Sequence, residues 1–221
     1  MDQIATGRDC DVYLLDDGRV LRRMRRGAST EAEAETMRAL ADAGYPVPRV
    51  FSAVGQDLVM ERIEGPSLAE AVFGGALSVS DGGDLLARLH HDLHALAWPG
   101  GESLLHMDLH PLNVLMSDDG PVVIDWTTAR PGPAGLDVAY SALVCAQVVT
   151  TPGMVPGIGE AERARLGEFL EAFDAASAPS WRDFLPEAVE LRRRNPNTTE
   201  AERAALERAR EFAESVGQST G

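Results

Sequence analysis

Lysine is absent from this chain of 221 residues: every one of its 20 basic residues is arginine. Chemistry that needs a lysine amine is therefore excluded, and any phosphate-binding motif built on lysine must carry a substitution here. Cysteine is scarce as well. With only Cys10 and Cys145 a disulfide framework is not expected, and a reducing cytoplasm is the simple setting. Long apolar runs are missing: the stretch from Ala139 to Thr151 is interrupted by Gln147 and is too short to span a bilayer. The opening residues, MDQIATGRDCD, carry Asp and Arg where a secretory signal would be apolar. Positive charge is in deficit, with 35 acidic residues giving a net charge of −15. Proteins that live on phosphate contacts are normally basic, so neither nucleic acid nor membrane is the expected partner. A cationic small molecule is compatible with such a field, although acidity also serves solubility.

Apolar residues make up 44% of the chain and charged residues 25%, which is ordinary globular usage and excludes wholesale disorder. The first sixty residues read as mostly β. Asp11 to Leu15 and Arg19 to Met24 are strand candidates joined at Asp16-Asp17-Gly18, a hairpin signal. With a period of two, Val20, Arg22 and Met24 share one face. Ser29 or Thr30 can cap a helix from Glu31 to Leu40 that Gly44 stops, and Val50–Ala53 and Leu58–Met60 read as two further strands. From Gly65 onward the pattern is helical: Leu85 to Leu96, Glu160 to Ala176, and Thr199 to Val216, where Thr199 and Glu202 form a capping-box pair. The boundary near Glu61–Gly65 predicts two lobes: residues 1–62, β-rich, and residues 63–221, helical.

The chemistry-bearing segment is His106-Met107-Asp108-Leu109-His110-Pro111-Leu112-Asn113, followed by an apolar strand, the turn Ser117-Asp118-Asp119-Gly120 and then Val122-Val123-Ile124-Asp125-Trp126. A hairpin here folds Asn113 and Asp125 toward the same end. Carboxylate and amide oxygens suit Mg²⁺, which leans on substrate phosphates for its remaining ligands. Asp108 is left to accept a hydrogen bond from an incoming hydroxyl.

This segment resembles the catalytic and metal-binding loops of kinase-like phosphotransferases, with H-x-D-x-x-x-x-N followed by the aspartate of a D-F-G-type triplet. His110-Pro111 and Ile124-Asp125-Trp126 make it more similar to the aminoglycoside phosphotransferase family than to protein kinases. Leu89-His90 with Leu93-His94, Gly135-Leu136-Asp137-Val138-Ala139, the stretch Glu33 to Val50 and the hinge-like Leu58 to Gly65 resemble the same family. The resemblance covers about two-thirds of the chain and fades after Gln147.

The resemblance implies an α+β, bilobal protein-kinase-like fold, with a small antiparallel β lobe carrying one helix and a larger helical lobe. It implies ATP and Mg²⁺ as cofactors and transfer of the γ-phosphoryl group to a hydroxyl of a small molecule. On that basis Asp108 is the catalytic residue and Asn113 and Asp125 hold the metal. The backbone of Glu61 to Ile63 binds adenine, and Arg22, paired with Glu33, binds phosphate where the family has lysine. His106 braces the loop, and Asp137 caps the following helix or braces the same loop. These oxygen donors are expected to converge at one interlobar crevice.

The sequence departs from the family at Arg22, at the nucleotide-covering loop, where Gly7 is the only glycine, and at Met107 and Leu112, where glycine is frequent. Duller readings stand beside the functional ones. Arg22 and Glu33 can form a surface ion pair, and Arg192-Arg193-Arg194 a solvated run. Glu160, Glu162, Glu168, Glu171 and Asp174 can be a solvated helix face or can receive an amine. A non-catalytic nucleotide-binding regulatory module, a metabolite kinase and a zinc site on His90 and His94 are the alternatives to an antibiotic-directed enzyme.

Overall fold

A computed structural model describes residues 1–6, 9–15, 17–25, 29–155 and 157–218. In chain order the strands are β1 (Asp2–Thr6), β2 (Cys10–Leu14), β3 (Arg19–Met24), β4 (Val50–Val54), β5 (Asp57–Glu61), β6 (Ser103–Leu105), β7 (Val114–Ser117), β8 (Gly120–Val123) and β9 (Arg130–Gly132). The helices are α1 (Glu31–Asp42), α2 (Leu68–Phe73), α3 (Val79–His94), α4 (Ala134–Thr150), α5 (Glu160–Ala176), α6 (Leu185–Arg194), α7 (Glu200–Ala204) and α8 (Leu206–Ser215). They fall into two compact units, Met1–Pro66 with Asn113–Ala129, and Ser67–Leu112 with Arg130–Gly221.

The first unit is built on an antiparallel sheet in the order β1-β2-β3-β5-β4. β3 is central and pairs Arg22 with Val12 on one side and Leu58 on the other. Val20, Arg22 and Met24 are buried on one face; on the other Arg23 is exposed but Leu21 is buried, so this central strand is covered on both faces at Leu21. α1 buries Glu33, Ala34, Met37 and Leu40, a three-to-four-residue spacing that forms one stripe, and Gly44 in left-handed conformation follows its end. Thr30 precedes α1 without capping it. Its hydroxyl turns to the carbonyls of Gly55 and Asp57, both at 3.1 Å, so it ties the helix start to the β4–β5 turn.

The β7–β8 hairpin belongs to this unit although 46 residues separate Pro66 from Asn113, because its backbone is stitched there: Met116 N–H donates to Pro66 O and Val123 N–H to Pro46 O. Trp126 meets Tyr45 edge to face, ring centroids 5.7 Å apart. Gly65 is required at its position, since its φ is 136° and a Cβ would overlap the Met116 carbonyl. The expected division at residue 62 therefore differs from these units at the hairpin, where long-range hydrogen bonding overrides chain order.

In the second unit α4 is buried along most of its length and is packed by α3, α5, α6 and α8, so the apolar stretch at Ala139 is a core helix. No helix among the described residues is long and apolar enough to cross a membrane. α3 and α5 approach closely because Gly82 and Gly83 face α5. The segment expected as one helix from Thr199 to Val216 is two, α7 and α8, divided at Ala205; its capping box on Thr199 and Glu202 is formed. β1, β9, α2 and α6 add to the expected elements, and α5 has the expected limits. Gly7, Asp16 and Arg26, which entered the readings of the nucleotide loop, the first turn and the basic strand, lie outside the described residues.

Candidate active site

In the first unit, three residues far apart in sequence form a charged cluster around Arg22. One arm of its guanidinium, Nη2, pairs with Glu33, and the other, Nη1, donates to Asp125 Oδ1 at 3.2 Å. Arg22 is only 4% exposed, so the pair with Glu33 is buried rather than superficial. Burial alone would ease a proton off the guanidinium, but the adjacent Glu33 and Asp125 carboxylates raise its pKa and keep it charged. Both Nη atoms are engaged by carboxylates, while the buried Nε makes no hydrogen bond among the described residues.

Asp125 follows β8 with φ 65° and ψ 66°, a left-handed conformation unusual for any residue but glycine. Its Oδ1 also accepts a hydrogen bond from the Thr127 hydroxyl. Oδ2 makes no hydrogen bond among the described residues, and the side chain is 45% exposed. Asn113 closes the short helical turn Pro111–Asn113, and its carbonyl accepts the Ile124 N–H at 3.0 Å. One amide and one carboxylate thus flank the ends of the hairpin. Oxygen donors of this kind, with an exposed unpaired carboxylate oxygen, fit a hard divalent cation.

Elsewhere in the unit, Glu61 N–H donates to Arg49 O at 2.8 Å and its carboxylate accepts the Arg49 N–H at 3.1 Å. That amide donor is therefore already taken within the sheet. Ile63 is half-buried in the following loop. The Cys10 thiol lies near Arg22, Glu33 and Asp125, and burial raises its pKa.

In the second unit, Asp108 sits in the loop after β6 with its side chain 31% exposed. Its Oδ2 is 3.6 Å from His110 Nε2, and its N–H donates to His106 Nδ1 at 3.2 Å. Burial would raise the Asp108 pKa, but hydrogen bonding and charge from His110, with smaller contributions from His106 and Arg192, hold it below the ordinary value. The residue is thus an ionised acceptor at neutral pH, partly open to a hydroxyl.

The loop is fastened from below by Asp137. Its carboxylate accepts the N–H groups of His106 at 2.9 Å and Met107 at 2.7 Å. It also contacts His94 Nε2 at 3.0 Å and His90 Nδ1 at 3.5 Å. Burial would push this carboxyl up; its bonds to His90 and His94 more than reverse that and hold it well below the usual range. Asp137 lies in the first turn of α4, behind Pro133 at the N-cap position. Met107 takes φ 62°, a left-handed conformation that favours glycine, yet its side chain is buried.

Three features were not anticipated from sequence. Thr127 had no assigned part, although a hydroxyl two residues beyond a carboxylate is within local hydrogen-bond reach. His90 and His94, read as a packed face or zinc ligands, gather with Asp137 so that one ligand atom from each lies within 4.8 Å of the others. Asp137 already accepts two backbone N–H groups there, which makes Asp137 with His94 a hydrogen-bonded brace against which the His90 ring packs. Arg192 departs from the solvated run expected of it: it is buried, donates to Gln147 Oε1 at 3.0 Å and stands over the Tyr140 ring, while Arg193 and Arg194 stay exposed.

A sheet-bearing unit with a buried Arg–Glu pair, and a helical unit with an aspartate loop five residues ahead of Asn113, define a kinase-like phosphotransferase architecture. Residues 1–99 and 81–163 match the model of the phosphotransferase enzyme family known as APH, and the chain belongs to that family. Among solved structures, the ADP-bound aminoglycoside phosphotransferase APH(2'')-Ib has a TM-score of 0.60 at 13% identity, over 96% of this chain and 90% of that one. An ethanolamine kinase from Plasmodium vivax has a TM-score of 0.61 at 11% identity, over 96% and 79%. At these identities the likeness is one of fold. An uncharacterized Bacillus subtilis protein, YcbJ, is 36% identical over 87 residues, 38% of this chain and 23% of its own. The chain spans less than a third of the length of the curated relatives it matches.

Proposed function

We propose that the protein is a phosphotransferase that moves the γ-phosphoryl group of ATP to a hydroxyl of a small molecule. In this reading Asp108 accepts a hydrogen bond from the acceptor hydroxyl, orients it for in-line attack and takes its proton as the new ester bond forms and the bond from the γ-phosphorus to the bridging oxygen breaks, releasing ADP. Asn113 and Asp125 hold Mg²⁺ through their oxygens, and Arg22 orients Asp125 through its hydrogen bond to Oδ1. Glu61 to Ile63 receive the adenine. His106 and Asp137 keep the Asp108 backbone in place. When bound, Mg²⁺·ATP supplies the transferable group and the cation that offsets its charge; the residues of the chain supply position and electrostatics.

The observation that carries the reading is Asp108 itself: ionised, partly exposed, and set on a backbone fastened to a buried carboxylate. A net charge of −15, with a fold shared by proteins named for aminoglycosides and ethanolamine, supports an amine-bearing alcohol as acceptor, and the scarcity of cysteine is compatible with a cytoplasmic setting. A second reading, a nucleotide-binding module without transfer, is favoured by the burial of Arg22 against Glu33 where the family resemblance implies an open phosphate-binding lysine.

Incubation with Mg²⁺·ATP and a panel of aminoglycosides and metabolite alcohols, read by mass spectrometry, separates the two. Transfer predicts a phosphorylated product whose rate falls by about 10²–10⁴-fold in Asp108→Ala, the usual contribution of a positioned acid–base group. Nucleotide binding without product from any acceptor would favour the second reading.

A further inference from the structure

We infer that Thr127 is a positioning residue for Asp125: with one arm of Arg22 its hydroxyl fastens Oδ1, so that Oδ2 is the oxygen presented to a divalent cation. The inference rests on the phosphotransferase reading for the cation and on the first unit alone for its geometry. A carboxylate that must bind a metal through one oxygen has to be prevented from rotating. The backbone of Asp125 does not do this, since its left-handed conformation sets the direction of Cβ and leaves the carboxylate torsion to the neighbours. Those neighbours both choose the same oxygen. Thr127 Oγ1 donates its single proton to Oδ1, and Arg22 Nη1 donates to Oδ1 at 3.2 Å.

The ring then closes on itself. Arg22 Nη1 also reaches Thr127 Oγ1 at 3.4 Å, so the hydroxyl accepts from the guanidinium and gives its proton to the carboxylate. With that proton committed, the hydroxyl has one orientation. The guanidinium is held in turn because Nη2 is bound to buried Glu33. An arginine fork can serve Glu33 with one arm and the Asp125–Thr127 pair with the other; the single ammonium of a lysine offers its donors from one point. The absence of lysine at position 22 and the presence of a hydroxyl at position 127 become parts of one arrangement. Oδ2, 45% exposed as part of its side chain and unbonded among the described residues, is the open coordination atom.

The test compares wild type with Thr127→Val, which keeps the shape and loses the hydroxyl, and Thr127→Ser, which restores it. ADP binding is followed by calorimetry over a Mg²⁺ series, and Mn²⁺ binding to the ADP-loaded protein by electron paramagnetic resonance. Thr127→Val is expected to raise the Mg²⁺ midpoint and weaken Mn²⁺ binding by about tenfold, the value of one charge-assisted hydrogen bond, with metal-free ADP affinity and folding midpoint near wild type. Thr127→Ser is expected to recover most of the loss. An unchanged Mg²⁺ midpoint in Thr127→Val, or no recovery in Thr127→Ser, overturns the inference while leaving the phosphotransferase reading in place. Metal-independent ADP binding, or no ADP binding, by wild type overturns the metal part of that reading and the inference with it.

Discussion

Asp108 and Asp137 belong to the same unit and are both held ionised, but by different means and with different consequences. Asp108 owes this to histidine neighbours beside a side chain partly open to solvent, and Asp137 to backbone N–H groups and two histidines in full burial. His90 pays for that burial with a pKa lowered from 6.5, chiefly by desolvation and only partly restored by Asp137. The unfolded chain then binds a proton at His90 at higher pH than the folded one. Stability should therefore fall as pH drops below about 6.5 toward the folded value, by about 1.4 kcal/mol per unit of separation. Urea unfolding between pH 7.5 and 5 checks this, with His90→Gln expected to show a shallower decline. Equal slopes in the two proteins would assign the effect to other groups. His94 and Asp137 face the same ring, so the shape of the curve belongs to the trio.

At this scale the sequence shows residue types better than partners. The two-residue period of β3 placed Arg22 with Val20 and Met24, which is where it lies. Nothing local links His94 to Asp137, 43 residues away, or Arg22 to Asp125, 103 away. Such pairs come from the fold. Burial of Arg192 beside two exposed arginines was equally hidden, since a charge run has no periodic mark.

Among elements, the contact of α3 with α5 depends on what α3 lacks. A Cβ at Gly83 would stand 2.7 Å from Ala172 Cβ, Phe169 O and Phe173 N, two of them backbone atoms that cannot swing aside. Alanine gains about 1 kcal/mol of helix propensity over glycine, but overpacking a tight contact costs about 1–3 kcal/mol. Gly83→Ala is therefore expected to lower stability by about 1 kcal/mol in chemical denaturation, against the gain normal for a helical glycine. A stabilised variant would show that α5 moves freely. α5 was readable to its limits, whereas α3 begins at Val79, six residues before the expected Leu85. β1 was not readable, because an edge strand exposed throughout has no alternating pattern, and α2 is too short for a helical period to register. The division of α7 from α8 was missed for the opposite reason: the periodic pattern runs through Ala205.

For the molecule as a whole, the α+β architecture was legible because β-rich and helical patterns are separated along the sequence. What the pattern concealed is that the chain passes between its two units at 66/67, 112/113 and 129/130. Expressed alone, residues 1–66 would keep α1 and the five-stranded sheet but lose Trp126 from Tyr45 and the Val123 amide from Pro46. That fragment is expected to lack a cooperative thermal transition by circular dichroism, and mixing it with a peptide of residues 113–129 should restore one. A sharp transition without the peptide would show the hairpin to be dispensable. Interleaving of this kind has a genetic consequence: neither unit can be exchanged for a homologous one by a single recombination joint, so a functional chimera must be spliced at all three junctions together.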